Sequence, residues 1–269
     1  RWWLYRSLQE LNRSLNGNLV IHNGDPKKIL LNLVSENKIK SVFWNRCYEP
    51  WRIRRDKEIK KLLEAQNIKT KSFNGSLLWE PWDALKKDGA PYKVFTPYYR
   101  KGCLNAVSPR KPLGKPRNLN LYVELVNGLP IDNLKLLPTI NWHEKLEPYW
   151  RIGETNAQKT FADFKDNCLN NYKKNRNYPA LSSVSRLSPH LHFGEISPNQ
   201  IWYDIKIKKE TDSINHFLSE IGWREFSHNL LYHFPDLPYN NLQDKFDRFP
   251  WLENEDYLRC WQTGQTGYP

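Results

Sequence analysis

Between residues 18 and 74, short apolar runs alternate with helical patterns, and this alternation restricts the fold more than any other feature. Residues 18–24, NLVIHNG, form an apolar run ending in a turn, and Asp25-Pro26 supplies an N-cap and a first helical position. In the following KKILLNLVSENK, Ile29, Leu30, Leu33 and Val34 recur at helical spacing. Residues 40–45, KSVFWN, read as a buried strand. Residues 51–67 read as a charged helix with Ile59, Leu62 and Leu63 on one face, and residues 68–74, IKTKSFN, as a further strand. Strands separated by helices imply a parallel sheet, because parallel neighbours need a long crossover connection. The expected architecture over residues 1–104 is α/β, an incomplete, doubly wound, Rossmann-like parallel sheet lacking at least its first strand.

The pattern changes twice further on. Residues 105–148 carry prolines and basic side chains with little periodicity, as a connecting segment does. From 149 to 269 the spacing is helical, giving an all-α second part. Ala157, Phe161, Phe164, Cys168, Leu169 and Tyr172 form one stripe; Ser197-Pro198 opens a helix through SPNQIWYDIKIKK; and residues 211–234 form a long helix.

Composition limits the function classes. Lys and Arg total 41 against 29 Asp and Glu, a formal net charge of +12, which favours a polyanionic partner such as nucleic acid. Mean hydropathy is −0.78 and no apolar run reaches the roughly 18–20 residues of a membrane span. The opening RWWLYRSLQELNRSLN lacks the apolar core of a signal peptide. Cys47, Cys103, Cys168 and Cys260 stand far apart, which suggests neither a zinc site nor a disulfide framework and fits a reducing, cytoplasmic location. With 0 methionines the chain lacks even an initiator and is expected to be an internal fragment of a longer protein.

Nucleotide signatures of the GxGxxG and GxxxxGK[ST] types are absent, as is GxSxG. His190 and His192 have no third ligand at metal spacing, so no metal is expected. Three segments carry more. Ser182, Ser183, Ser185 and Ser188 surround Arg186, a set of short donors and one cation that suits a pyrophosphate, although composition alone favours a polar capping loop. Glu220, Trp223 and Arg224 fall at i, i+3 and i+4 of a helix, which places a carboxylate beside a flat aromatic able to stack on a base, or alternatively a core tryptophan beside a surface ion pair. The tail, DRFPW and WQTGQTGYP, is rich in tryptophan, which serves packing, stacking or electron transfer.

Taken in order, YWRIGE, YKKNRNYPA, SRLSPHLHFGEISP, SEIGWREF and WQTGQTGYP closely resemble the photolyase/cryptochrome family, and NRCYEPWRIRRD with YKVFTPYYR extends the likeness into the α/β half. Within the family the chain looks most like a bacterial (class I) DNA photolyase acting on cyclobutane pyrimidine dimers. The resemblance implies an N-terminal antenna domain, a connection, and a helical domain holding FAD. It further implies that the photoexcited reduced flavin lends an electron to a flipped-out dimer, which splits and returns it. UV-damaged DNA is then the partner, and the protein is expected to be a monomer associated with the nucleoid.

Carried over residue by residue, Tyr172 matches the family tyrosine at the flavin, and Val184, Ser185, Arg186, Leu187 and Ser188 match the flavin-binding run, in which position 184 is usually threonine. Arg176 matches a DNA-contacting arginine, Glu220 the carboxylate that hydrogen-bonds the dimer, and Trp223 the tryptophan stacked on it. Arg224 belongs with the flavin and DNA surface, and Glu225, Phe226 and Ser227 with the DNA surface. Trp251 matches the outermost member of the tryptophan chain that photoreduces the flavin.

The family pattern also contains an opening strand and, beyond TGYP, helices that carry further flavin ligands and two inner tryptophans. A fragment truncated at both ends, inactive on its own, is therefore expected. Folate-binding members carry an Asn-Glu pair where this chain has Trp51 and Arg52, so a second, antenna chromophore of unknown identity is expected at most. Two alternatives use the same fold, a cryptochrome-like blue-light receptor and a (6-4) photolyase; a third, a non-catalytic nucleic-acid-binding module, predicts no flavin.

Overall fold

The computed structural model describes residues 1–122 and 128–268, and the chain divides into two compact units, Arg1–His233 and Phe234–Pro269. The first unit opens with α1 (Trp2–Ser14) and α2 (Pro26–Glu36), followed by β1 (Ser41–Asn45), α3 (Pro50–Ala65) and β2 (Lys69–Phe73). A single turn, α4 (Phe95–Pro97), runs into the wider-turned segment Tyr98–Gly102. The helices α5 (Glu154–Asn167), α6 (Tyr172–Asn175), α7 (Ser188–Phe193), α8 (Pro198–Lys206) and α9 (Asp212–His233) complete the unit. The second unit holds α10 (Glu255–Thr263), whose N-cap Asn254 side chain accepts from the amide of Tyr257.

The helix starts follow the sequence signals. Asp25 accepts a hydrogen bond from the Lys27 amide at 2.9 Å, with Pro26 at the first helical position. Ser197 and Gln200 form a reciprocal capping box at α8, satisfying two donors that a helix start otherwise leaves unpaired.

The β1–α3–β2 unit is a parallel pair in the register Ser41↔Lys69 to Asn45↔Phe73. Val34, Ile59 and Leu63 form the buried cluster at this unit. The alternation also implies a strand at 18–24, and this is corrected: among the described residues, 18–24 form no strand, and the Ile21 carbonyl instead accepts from the Leu129 amide at 2.7 Å. An apolar run without a ladder partner remains coil, because a strand is defined by its neighbour.

The expected divisions at 104 and 148 do not coincide with the limits of compaction. The largest core cluster joins Leu78, Trp79, Tyr92, Tyr98 and Tyr99 to Phe161, Phe164, Leu169, Ile201, Phe217 and Phe226. The segment after β2 is therefore part of the helical body. The carboxylate of Glu225 on α9 fixes it there, accepting from the backbone amides of Leu78 (2.7 Å) and Trp79 (3.4 Å). No helix among the described residues is long and apolar enough to cross a membrane.

Candidate cofactor and base-stacking site

The turn between α6 and α7 is built by backbone conformation as much as by side chains. Arg186 takes φ +53°, a left-handed conformation that costs a non-glycine residue free energy and persists only where its surroundings enforce it. Ser185 Oγ accepts from the Leu187 amide at 3.4 Å, Leu187 is buried, and Pro189 lies in the first turn of α7. The Arg186 guanidinium lies 4.1 Å from the centroid of the Trp150 ring, a cation–π contact that holds it at the wall of a cavity.

That cavity has a volume of about 1080 Å³. Tyr172, Val184, Ser185, Arg186, Leu187 and Ser188 line one side; Phe217, Glu220, Ile221, Arg224 and His228 of α9 line another; and Arg46, Cys47, Tyr48, Glu49, Arg52 and Ser76 come from the α/β segment. Four guanidinium groups (Arg46, Arg52, Arg186 and Arg224) line it; Arg46 is paired with Glu80, Arg52 with Glu49 and Arg224 with Glu225, which leaves Arg186, beside the serine hydroxyls, as the guanidinium suited to a phosphate. The hydroxyls of Ser185 and Ser188 beside Arg186, with apolar Leu187, Phe217 and Ile221 nearby, match a dinucleotide, which needs polar anchors and apolar surface together. Of the sequence candidates, the structure thus brings Tyr172, the whole 184–188 run, Glu220 and Arg224 to one cavity.

Glu220 is paired with Arg176, whose guanidinium lies 5.3 Å from the Tyr172 ring centroid and 3.0 Å from His216 Nε2. Burial raises the Tyr172 hydroxyl above its ordinary value, with the Arg176 charge opposing. His228 is shifted the other way, because burial penalises the imidazolium; Nδ1 donates to the Arg224 carbonyl at 2.9 Å. Its neutral ring therefore presents Nε2 as the acceptor nitrogen.

Trp223 is half exposed at 47% and lies parallel to Phe95, with ring centroids 3.8 Å apart and planes 11° apart. It is thus neither a core tryptophan nor a lining residue of the cavity. Arg224 Nη1 donates to the Ser76 carbonyl at 2.8 Å and to Glu225 at 2.9 Å.

Two expectations are corrected here. Glu225 and Phe226 are buried at 1% and 5%, Glu225 against backbone amides and Phe226 in the core, so neither can touch a duplex. Ser227 is exposed, with its hydroxyl donating back to the Trp223 carbonyl. In the second unit, Trp251 is exposed and lies 4.6 Å from Phe249.

Other residues of the site had no role assigned from the sequence. Trp150 and Arg46, Cys47, Tyr48, Glu49 and Arg52 lie in motifs that carry the family resemblance, His228 lies outside them, and all reach the cavity through tertiary folding. Trp51 and Arg52 stack on each other at 5.0 Å. His190 is a structural histidine, with Nδ1 2.5 Å from Glu195, which also accepts from the Trp3 indole; among the described residues no acidic, His or Cys group is arranged to hold a metal.

The family model described as DNA photolyase matches residues 1–116, and the one described as the FAD binding domain of DNA photolyase matches residues 217–269. A deoxyribodipyrimidine photo-lyase of Agrobacterium fabrum is 39% identical, covering 100% of this chain and 57% of that protein. Cryptochrome-1 of Arabidopsis thaliana is 31% identical over 100% of this chain and 42% of that protein. The crystal structure of a bacterial class III photolyase from Agrobacterium tumefaciens superposes with a TM-score of 0.93 at 38% identity, covering 100% of this chain and 57% of the other. The chain therefore spans about half the length of the relatives it matches.

Proposed function

Because the chain belongs to the DNA photolyase/cryptochrome family, we propose that the protein repairs cyclobutane pyrimidine dimers in UV-damaged DNA, using light and FAD. The observation that carries this reading is the convergence of Tyr172, the 184–188 run, Glu220 and Arg224 on one cavity, with Trp223 three residues beyond Glu220 on the same helix. The similarity to a class III enzyme supports that subclass in place of the class I expected from the motifs.

In this reading Tyr172, Val184, Ser185, Arg186, Leu187, Ser188 and Arg224 hold FAD, which when bound supplies the light-driven electron. Arg186 and the serine hydroxyls meet the phosphates, and Tyr172 gives an apolar wall. Arg176 holds the Glu220 carboxylate in place. The carboxylate oxygens are hydrogen-bond acceptors and suit the imide N–H of a flipped-out pyrimidine, while the half-exposed face of Trp223 stacks on that base. A dimer is already poorly stacked, so extruding it costs less than extruding a normal base, and this supplies part of the selectivity. Arg176 and the net charge of +12 contribute phosphate attraction that falls steeply with salt. The exposed Trp251 fits the solvent end of a tryptophan relay. The protein acts as a monomer at the nucleoid, with any second chromophore serving as antenna.

The 31% identity to a cryptochrome supports a second reading, a blue-light receptor on the same fold. One experiment separates the two. The full-length protein is reduced, mixed with a thymine-dimer oligonucleotide, and dimer loss is compared under blue light and in the dark. Repair in light alone is the expected outcome. Bound flavin without repair moves the assignment to a receptor or a (6-4) enzyme, and absence of flavin overturns the reading.

A further inference from the structure

The plane of Trp223 is set from outside its own helix. Phe95, in the single turn α4 of the segment after β2, lies against one face of the indole at 3.8 Å and 11°. Phe95 is in turn nearly parallel to Tyr99, at 10° and 5.6 Å. Tyr99 occupies a slot that exists only because residue 222 is glycine: a Cβ there would sit 2.5 Å from Tyr99 Cδ2, inside any real contact distance. Phe226 closes the assembly edge-on, 5.9 Å from both Phe95 and Trp223. Three rings thus share one orientation to within about 11° per step, from the backbone of α9 out to the surface and back onto α9 one residue later.

An exposed tryptophan on a helix ordinarily samples several rotamers, and fixing one on binding has an entropic cost. Here the cost is met during folding, because the face towards Phe95 is covered and the opposite side remains available. We infer that Phe95, seated on Tyr99 and Gly222, is a positioning residue that pre-sets the Trp223 ring for stacking on an extruded base. This rests on the repair reading given above. Phe95 does not line the 1080 Å³ cavity, so its effect should fall on lesion binding and leave the cofactor untouched.

The test uses the full-length protein with Phe95→Ala, Phe95→Leu and Phe95→Tyr. Affinities are measured for a thymine-dimer duplex and for its undamaged counterpart, with flavin content and thermal midpoint recorded for each variant. Phe95→Leu fills similar volume without a flat face and Phe95→Tyr keeps the face. Phe95→Ala and Phe95→Leu should weaken binding to damaged DNA about two- to tenfold, leave undamaged DNA within about twofold, and retain flavin; Phe95→Tyr should restore discrimination.

Near-UV circular dichroism gives a readout independent of DNA. The band lost in Trp223→Phe should also be lost in Phe95→Leu and kept in Phe95→Tyr. If the wild type prefers damaged DNA and Phe95→Leu keeps both that preference and the band, the inference is overturned and the repair reading stands. A wild type with no preference for damage overturns both.

Discussion

Two glutamates five residues apart on α9 have opposite fates. Glu220 lies at the cavity, paired with Arg176 and with His216 3.7 Å away, its side chain 32% exposed. Glu225, about 140° further round the helix, has a fully buried side chain that joins α9 to the backbone of Leu78 and Trp79. Both belong to one continuous motif and carry the same group. What differs is the neighbour: Glu220 meets the Arg176 and His216 side chains beside open space, Glu225 backbone amides and the Arg224 guanidinium. One carboxylate is available to a ligand, whereas the other is already spent on architecture.

The comparison breaks most visibly at Glu225. Glu225→Ala strands two buried amides and the Arg224 charge, and should destabilise the protein by about 3–5 kcal/mol, read as a fall in the urea midpoint. A loss below about 1 kcal/mol would mean that the 78–79 segment does not depend on this carboxylate. Next in size is a pH effect. Burial pushes Glu225 up to about 7 from 4.5, against the opposing pull of Arg224 and the two amides. The folded state then keeps a proton that the unfolded chain releases. Stability from this group is therefore full below pH 4.5 and lost as pH rises to about 7, a change of about 3 kcal/mol. His228, with its lowered value, titrates with the opposite sign as pH rises towards 6.5, so the comparison to make is wild type against Glu225→Gln. The Glu225 contribution should vanish from that variant's stability–pH curve.

A smaller effect is expected at Gly222. Alanine is a better helix former by about 1 kcal/mol, yet its Cβ would meet the Tyr99 ring at 2.5 Å. Overpacking of this kind costs about 1–3 kcal/mol, so Gly222→Ala should lower stability by roughly 1 kcal/mol despite its propensity gain. Thermal unfolding checks the sign, and a stabilised variant would show that Tyr99 shifts freely.

These residues also mark how far the sequence could be read. Tyr172, residues 184–188, Glu220 and Trp223 were accessible because helical spacing and motif order are local properties of the chain. Glu225 and Phe226 were assigned to the DNA surface by carrying over the family motif, and a motif does not record the partners that bury them, which lie about 120–150 residues away. Phe95 and Gly222 lie within quoted motifs but received no role for the same reason: each matters through a ring contributed by another segment. The strand expected at 18–24 failed because an apolar run specifies burial but no ladder partner. By contrast, the caps at Asp25 and Ser197 involve residues two or three apart and could be read directly.

The smallest stability effect is expected at Glu220, where the contrast with Glu225 becomes sharpest. Glu220→Gln keeps the shape and one acceptor oxygen, and it releases Arg176 at a site where both side chains remain solvated, 29% and 32% exposed. A part-buried pair that keeps about a third of its surface in solvent is still largely screened, so unfolding should move by less than about 1 kcal/mol. Flavin should stay bound, since the 184–188 run and Tyr172 are unchanged. Repair should nevertheless fall about ten- to a hundredfold, because a hydrogen bond to a charged group is worth about 1.5–3 kcal/mol. Stability and repair quantum yield measured on the same preparation decide the matter. A variant that loses stability and repair together would make Glu220 a second structural carboxylate, whereas loss of repair alone separates the two ends of α9 into one that holds the fold and one that meets the lesion.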